Sequence, residues 1–188
     1  LFTVDTSLGL NLTVRFDIAQ VYDATIDWGD GSNPLTVAPG TGSITKLYGV
    51  GTYQVRVSGT FAPEIILNSN QNIVSVENLG TLGYVNISSM FLDCQNLVSF
   101  NAGNTDTSSV ESLTGMFTDC ISLSSANVST FNTSNVIYIN QMFVNCYALT
   151  SLDLSNWDTS NVSKFIQAFQ DCTNLQTLQL PDNFVTSN

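Results

Sequence analysis

From residue 84 onward, hydrophobic positions return every 26 residues. Tyr84, Val110, Val136 and Val162 are followed three places on by Ile87, Leu113, Ile139 and Phe165. Next come Met90, Met116, Met142 and Ala168, and directly after them Phe91, Phe117, Phe143 and Phe169. Offsets of 0, 3, 6 and 7 mark one face of a helix. Ser108, Ser134 and Ser160 stand where an N-cap is wanted, and Ser108 with Glu111 has capping-box spacing. Past this stretch the chain reads L-x-x-L-x-L, as in Leu149, Leu152 and Leu154, the pattern of a short strand. Each unit is therefore expected to be a helix, a turn and a strand. One such unit cannot bury both faces, but stacked units share a continuous core. "NIVSVENLG" at 72–80 parallels "NLVSFNAGN" at 96–104 and adds an earlier, shorter rung.

The first third follows a different rule. "TYQVRVSG" alternates, placing Tyr53, Val55 and Val57 on one face of a half-buried strand, and Gly29 and Gly31 in "IDWGDGS" supply the freedom of a tight turn. The expected fold class is α+β: a small β-sandwich at 1–62, then a solenoid of 26-residue helix-strand repeats at 63–188. The stretch between them carries no Gly/Ser linker and no charged spacer, so Phe61 to Leu67 is expected to join the two as one rigid body.

Composition narrows the chemistry. Four basic residues against 15 acidic ones give a net charge of −11, and Arg15, Lys46, Arg56 and Lys164 are scattered singly. That surface argues against nucleic acid and anionic membranes, whose recognition begins with clustered cations. No apolar run reaches the length of a membrane-spanning helix. Few lysines with many Ser, Thr and Asn point to an extracellular, cell-surface or virion-surface setting. There is no histidine, so the commonest proton shuttle is missing. Asp93, Asp119 and Asp171 recur as a column, which fits service to the rung better than catalysis. No catalytic residue and no cofactor is expected.

Cys94, Cys120, Cys146 and Cys172 keep the same period. Evenly spaced single cysteines do not converge as zinc ligands do. Disulfides between rungs need a close Cα approach, so buried free thiols forming a structural column are the preferred reading. Asp27 and Asp30 are a weak calcium candidate, since a hard-cation site needs six or more oxygens and the alternative is ordinary turn formation.

The motifs "NWDTSNVSKFIQAFQDCTNLQTLQL", "TDTSSVESLTGMFTDCISL" and "FNTSNVIYINQMFVNCYAL" resemble the BspA-like leucine-rich repeat over residues 82–188. "IDWGDGS" with "LYGVGTYQVRVSG" is similar to the PKD-type β-sandwich. The resemblance implies a surface adhesion or interaction protein that binds an extracellular protein or glycan. Counting between the core leucines, the outward strand positions are Ser99, Ser125, Ser151 and Thr177, then Asn101, Asn127, Asp153 and Gln179. This flat polar face is the expected binding surface. The alternative is a structural subunit of a filament or particle. The closing "FVTSN" parallels "WDTSN" without a capping unit, and head-to-tail self-association would cover such an end.

Overall fold

The computed structural model describes residues 2–8, 11–16, 23–38, 41, 43–60, 65–80, 84–182 and 184. The first module holds β1 (Phe2–Asp5), a short 3-10 turn (Thr6–Leu8), β2 (Asn11–Phe16), β3 (Asp23–Asp27), β4 (Leu35–Val37), β5 (Ser43–Leu47), β6 (Thr52–Thr60) and β7 (Ile65–Ile66). Alternation forms these strands: along β6, Val55 is fully buried and Tyr53 and Val57 pack against the core, while Gln54, Arg56 and Ser58 face solvent. Val4, Leu12, Ala24, Ile26 and Val37 join the same core.

The repeats begin with β8 (Ile73–Val76) and continue through β9 (Ser99–Asn101), β10 (Ser125–Asn127), β11 (Ser151–Asp153) and β12 (Thr177–Gln179). One seven-stranded sheet, in the order β10-β9-β8-β1-β6-β3-β4, runs from the first module into the stack. β1 is the splice, antiparallel to β6 on one side and to β8 on the other, and from β8 to β10 the pairing is parallel. A three-stranded sheet, β5-β2-β7, completes the module. The expected boundary at 62/63 falls on residues 61–64, outside the described residues.

The expected helix-strand repeat is corrected by the structure. Among the described residues the only helical element is the 3-10 turn, and the stretch from Ile87 to Cys94 is a run of turns, as are its counterparts. Two positions per rung have left-handed backbone: Ser89 and Asp93, Gly115 and Asp119, Gln141 and Asn145, Gln167 and Asp171, all with φ between 54° and 62°. A helix needs φ near about −60° throughout, so each pair breaks it twice. The N–H groups bond to the next rung instead. Ser89, Phe91 and Asp93 donate to Thr114 O, Met116 O and Thr118 O at 2.8–3.0 Å, and the following rungs repeat the ladder.

The helix-like spacing has another origin. Three-residue turns, such as Cys94 N–H to Phe91 O and Leu97 N–H to Cys94 O, both 3.0 Å, bring the chain back to the same face. Ser108 is no N-cap either, since its N–H and hydroxyl both bond to Asp106 Oδ1. Each rung thus has two flanks. One carries the three-residue strands, and the other carries the parallel bridges Asn86–Ser112–Tyr138–Lys164.

Between the flanks run two internal columns. Phe91, Phe117, Phe143 and Phe169 stack with ring centroids 5.7, 5.3 and 5.9 Å apart. The four cysteines are free. Their thiols donate to Leu67 O, Phe91 O, Phe117 O and Phe143 O at 3.0–3.2 Å, tying neighbouring rungs together. Burial raises every one of these thiols, Cys94 to about 12 and Cys172, the least buried, to about 11. The thiolate is the reactive form. With an aromatic disulfide reagent at mild alkaline pH, native protein should therefore react slowly and at Cys172 first, with all four reacting in denaturant. Rapid labelling of Cys120 in the folded chain would contradict this packing.

Candidate functional site

The two columns of the strand flank behave differently. Ser125, Ser151 and Thr177 are exposed and Ser99 is half-buried, and their hydroxyls have no partner among the described residues. The second column is tied down. Asn101, Asn127 and Asp153 accept bonds from Gly103, Ser129 and Ser155 N–H at 3.1, 3.3 and 2.9 Å, closing the turn after each strand. Asn127 Nδ2 also donates to Asn101 Oδ1 at 3.2 Å, and with its nitrogen turned toward Asp153 the Gln179 amide lies 3.1 Å from the carboxylate. The bonds from Ser155 lower the Asp153 carboxyl below its usual value. Carboxyl and amide groups held in this way shape the rung, whereas the hydroxyl column remains available to a partner.

Every residue of the D-T-S-N-V stretch has a local cause. Asp106, Asn132 and Asp158 cap turns by accepting from Ser108, Ser134 and Ser160 N–H. Thr107 and Thr133 are buried, their hydroxyls donating to Asn132 O and Asp158 O in the next rung at 3.0 Å. Asn135 and Asn161 reach back to Ser108 O and Ser134 O with Nδ2, both at 2.7 Å. Val110 and Val136 fill the core.

An open groove of 670 Å³ lies beside the bridged flank, lined by Val85, Ser109, Glu111, Asn135, Ile137 and Asn161. Reading this stretch as a helix start hides the groove. The available signal is that 85, 111 and 137, like 109, 135 and 161, share one period.

Asp93, Asp119 and Asp171, with Asn145 in the remaining place, occupy the second left-handed position of each rung, and Asn145 Nδ2 donates to Asp119 Oδ1 at 2.6 Å. Short polar side chains tolerate that backbone best after glycine. Among the described residues no group of three or more His, Cys, Asp or Glu side chains gathers as metal ligands.

In the first module Asp27 accepts from Gly29 N–H at 3.0 Å. Asp30 accepts from Ser32 N–H and hydroxyl at 3.0 and 2.6 Å and pairs with Lys46 at 2.7 Å. Gly29 is required there, because φ is 70° and a Cβ would lie 2.3 Å from Gln54 O. Lys46 and then Ser32 pull the Asp30 carboxyl from 3.8 to about 2. A depressed carboxyl stabilises the fold above its unfolded pKa and loses that contribution as pH falls through the folded value, so the window is about pH 4 to 2. In Lys46→Met, Asp30 should titrate closer to 3.8 by carboxyl NMR, its Ser32 bonds retaining part of the shift. An unmoved titration would remove Lys46 as the cause.

These features define a repeat protein: helix-free 26-residue rungs stacked in parallel and spliced through one sheet to a small antiparallel β module. The chain belongs to the family described as Mycoplasma protein of unknown function, DUF285, whose model matches residues 67–188. No curated protein and no solved structure matches it. This corrects the two resemblances, because neither a BspA-like leucine-rich repeat nor a PKD model matches. A leucine-rich repeat description also fails physically, since the rung lacks the helix.

Proposed function

We propose that the chain is a non-enzymatic recognition module that binds a protein partner in an extracellular, cell-surface or virion-surface setting through the strand flank. The observation that carries this reading is the column of exposed Ser125, Ser151 and Thr177, whose hydroxyls have no partner among the described residues. Inter-rung hydrogen bonds hold the backbone that carries those side chains, so little backbone freedom is lost on docking. A flat face suits another protein surface, and its acidic surroundings favour a partner with basic patches.

The test is binding of labelled protein to intact cells from its natural setting. Ser125→Trp with Ser151→Trp should weaken binding on the order of tenfold at an unchanged melting temperature. Undiminished binding by this double variant would remove the strand flank from the interface.

A further inference from the structure

The groove beside the bridged flank has a one-sided chemistry. Asn135 and Asn161 each use Nδ2 to hold the previous rung at 2.7 Å, which fixes the amide and leaves Oδ1 without a partner among the described residues. Glu111 adds a carboxylate and Ser109 a hydroxyl, while Val85 and Ile137 supply apolar surface between these polar groups. The groove therefore offers mainly acceptors beside an apolar strip. Its complement has many donors and C–H faces.

Register narrows the class further. The six lining residues come from four successive units, so the groove follows the stack, where neighbouring backbones lie about 4.7–4.9 Å apart. An extended peptide laid along that direction advances about 3.3 Å per residue and drifts out of step. Its own carbonyls would also face acceptors. A β-1,4-linked pyranose chain advances close to one rung per sugar and, because each sugar is flipped relative to the last, presents equivalent hydroxyls at every second rung. Anionic polymers are disfavoured by Glu111 and by the net charge of −11. The volume, 670 Å³, lies within the usual range for a ligand site, about 300–1,000 Å³.

We infer that this groove is a glycan-binding site for a neutral, hydroxyl-rich oligosaccharide lying along the stack, with one sugar facing each rung. The inference stands apart from strand-flank recognition, because none of its six residues belongs to that face.

Calorimetric titration of the full chain with cellohexaose, N-acetylchitohexaose, mannohexaose and a heparin hexasaccharide tests it. At least one neutral hexasaccharide should bind, its trisaccharide more weakly, and heparin not at all. Ser109→Trp, which fills the groove, should weaken that binding on the order of tenfold, and Ser151→Trp on the strand flank should leave it unchanged. Should Ser109→Trp fail to melt as a folded protein, Val85→Arg takes its place. The site is overturned if no neutral hexasaccharide binds, if heparin binds in preference, or if the groove variants bind as tightly as the parent. Loss of sugar binding in Ser151→Trp alone would equally overturn it.

Discussion

Replacing Phe117 with alanine should lower the stability of the chain by about 3–5 kcal/mol, a fall in melting temperature of roughly 6 to 20 °C for a chain of this size. Phe117 is fully buried at the middle of the aromatic column. Its ring stacks on Phe91 at 5.7 Å and Phe143 at 5.3 Å, and meets Phe100 edge-on at 4.9 Å. Stability in a stack is carried by contacts between neighbours, so a void here weakens the interfaces above and below at once. The surrounding backbone cannot collapse into it. Phe117 N–H bonds to Met142 O at 2.9 Å and its carbonyl accepts the Cys146 thiol of the following rung, while Phe91 N–H of the preceding rung bonds to Met116 O at 3.0 Å, which pins both sides of the cavity. Ile121→Ala, on the exposed edge just past the same turn, is the control and should change stability by about 0.5 kcal/mol or less. Equal shifts for the two variants in calorimetry would mean that the column does not carry the stack.

Phe117 also shows what was legible in the sequence. Its period, its burial and the strand positions around Phe100 and Leu152 follow from hydrophobic spacing alone, because the core needs the same side chain at the same place in every rung. The backbone path does not follow, for turns that return every three residues place apolar groups on one face much as a helix does. The clue lay at the left-handed positions. Gly115 shows it openly, and Asp93, Asp119, Asn145 and Asp171 show it more weakly. Ser89, Gln141 and Gln167 give none: the backbone N–H groups of Ser89 and Gln141 bond to the next rung, and the Gln167 side chain accepts from Gln141 Nε2 at 3.1 Å. The candidate site divided in the same way. Alternation identified Ser125 and Ser151 as outward, but Asn101 and Asp153 share that pattern while serving the turns. The splice of β1 onto β8 joins residues some 70 positions apart, as in Phe2 with Val76, and local periodicity carries no information at that range.

That splice has a second fastening, and Asn70→Leu should break it. β7 covers β2 only at Arg15 and Phe16, leaving the same edge of β2 open at Thr13. Asn70 closes the gap as a strand would: its Oδ1 accepts the Thr13 N–H at 3.0 Å and its Nδ2 donates to Thr13 O at 2.8 Å and Leu67 O at 2.6 Å. Asn72 extends the pairing, its Nδ2 bonding to Asn11 O while its own carbonyl accepts the Asp5 N–H at 2.8 Å. Leucine fits the same buried space but leaves the N–H and carbonyl of Thr13 without partners, at about 1 kcal/mol or more each, and leaves Leu67 O with the Cys94 thiol alone. The loss should be at least about 2 kcal/mol, concentrated where β2 meets the first rung. Because β1 still holds β8, the stack itself should survive. Hydrogen exchange then separates the two: in Asn70→Leu the Thr13 amide should lose its protection while Phe117 and Asp119, bonded to the next rung, keep theirs. If Thr13 stays protected, Asn70 is not the fastening. If Phe117 loses protection together with Thr13, the module and the stack unfold as one unit and β1 alone does not hold the stack in place.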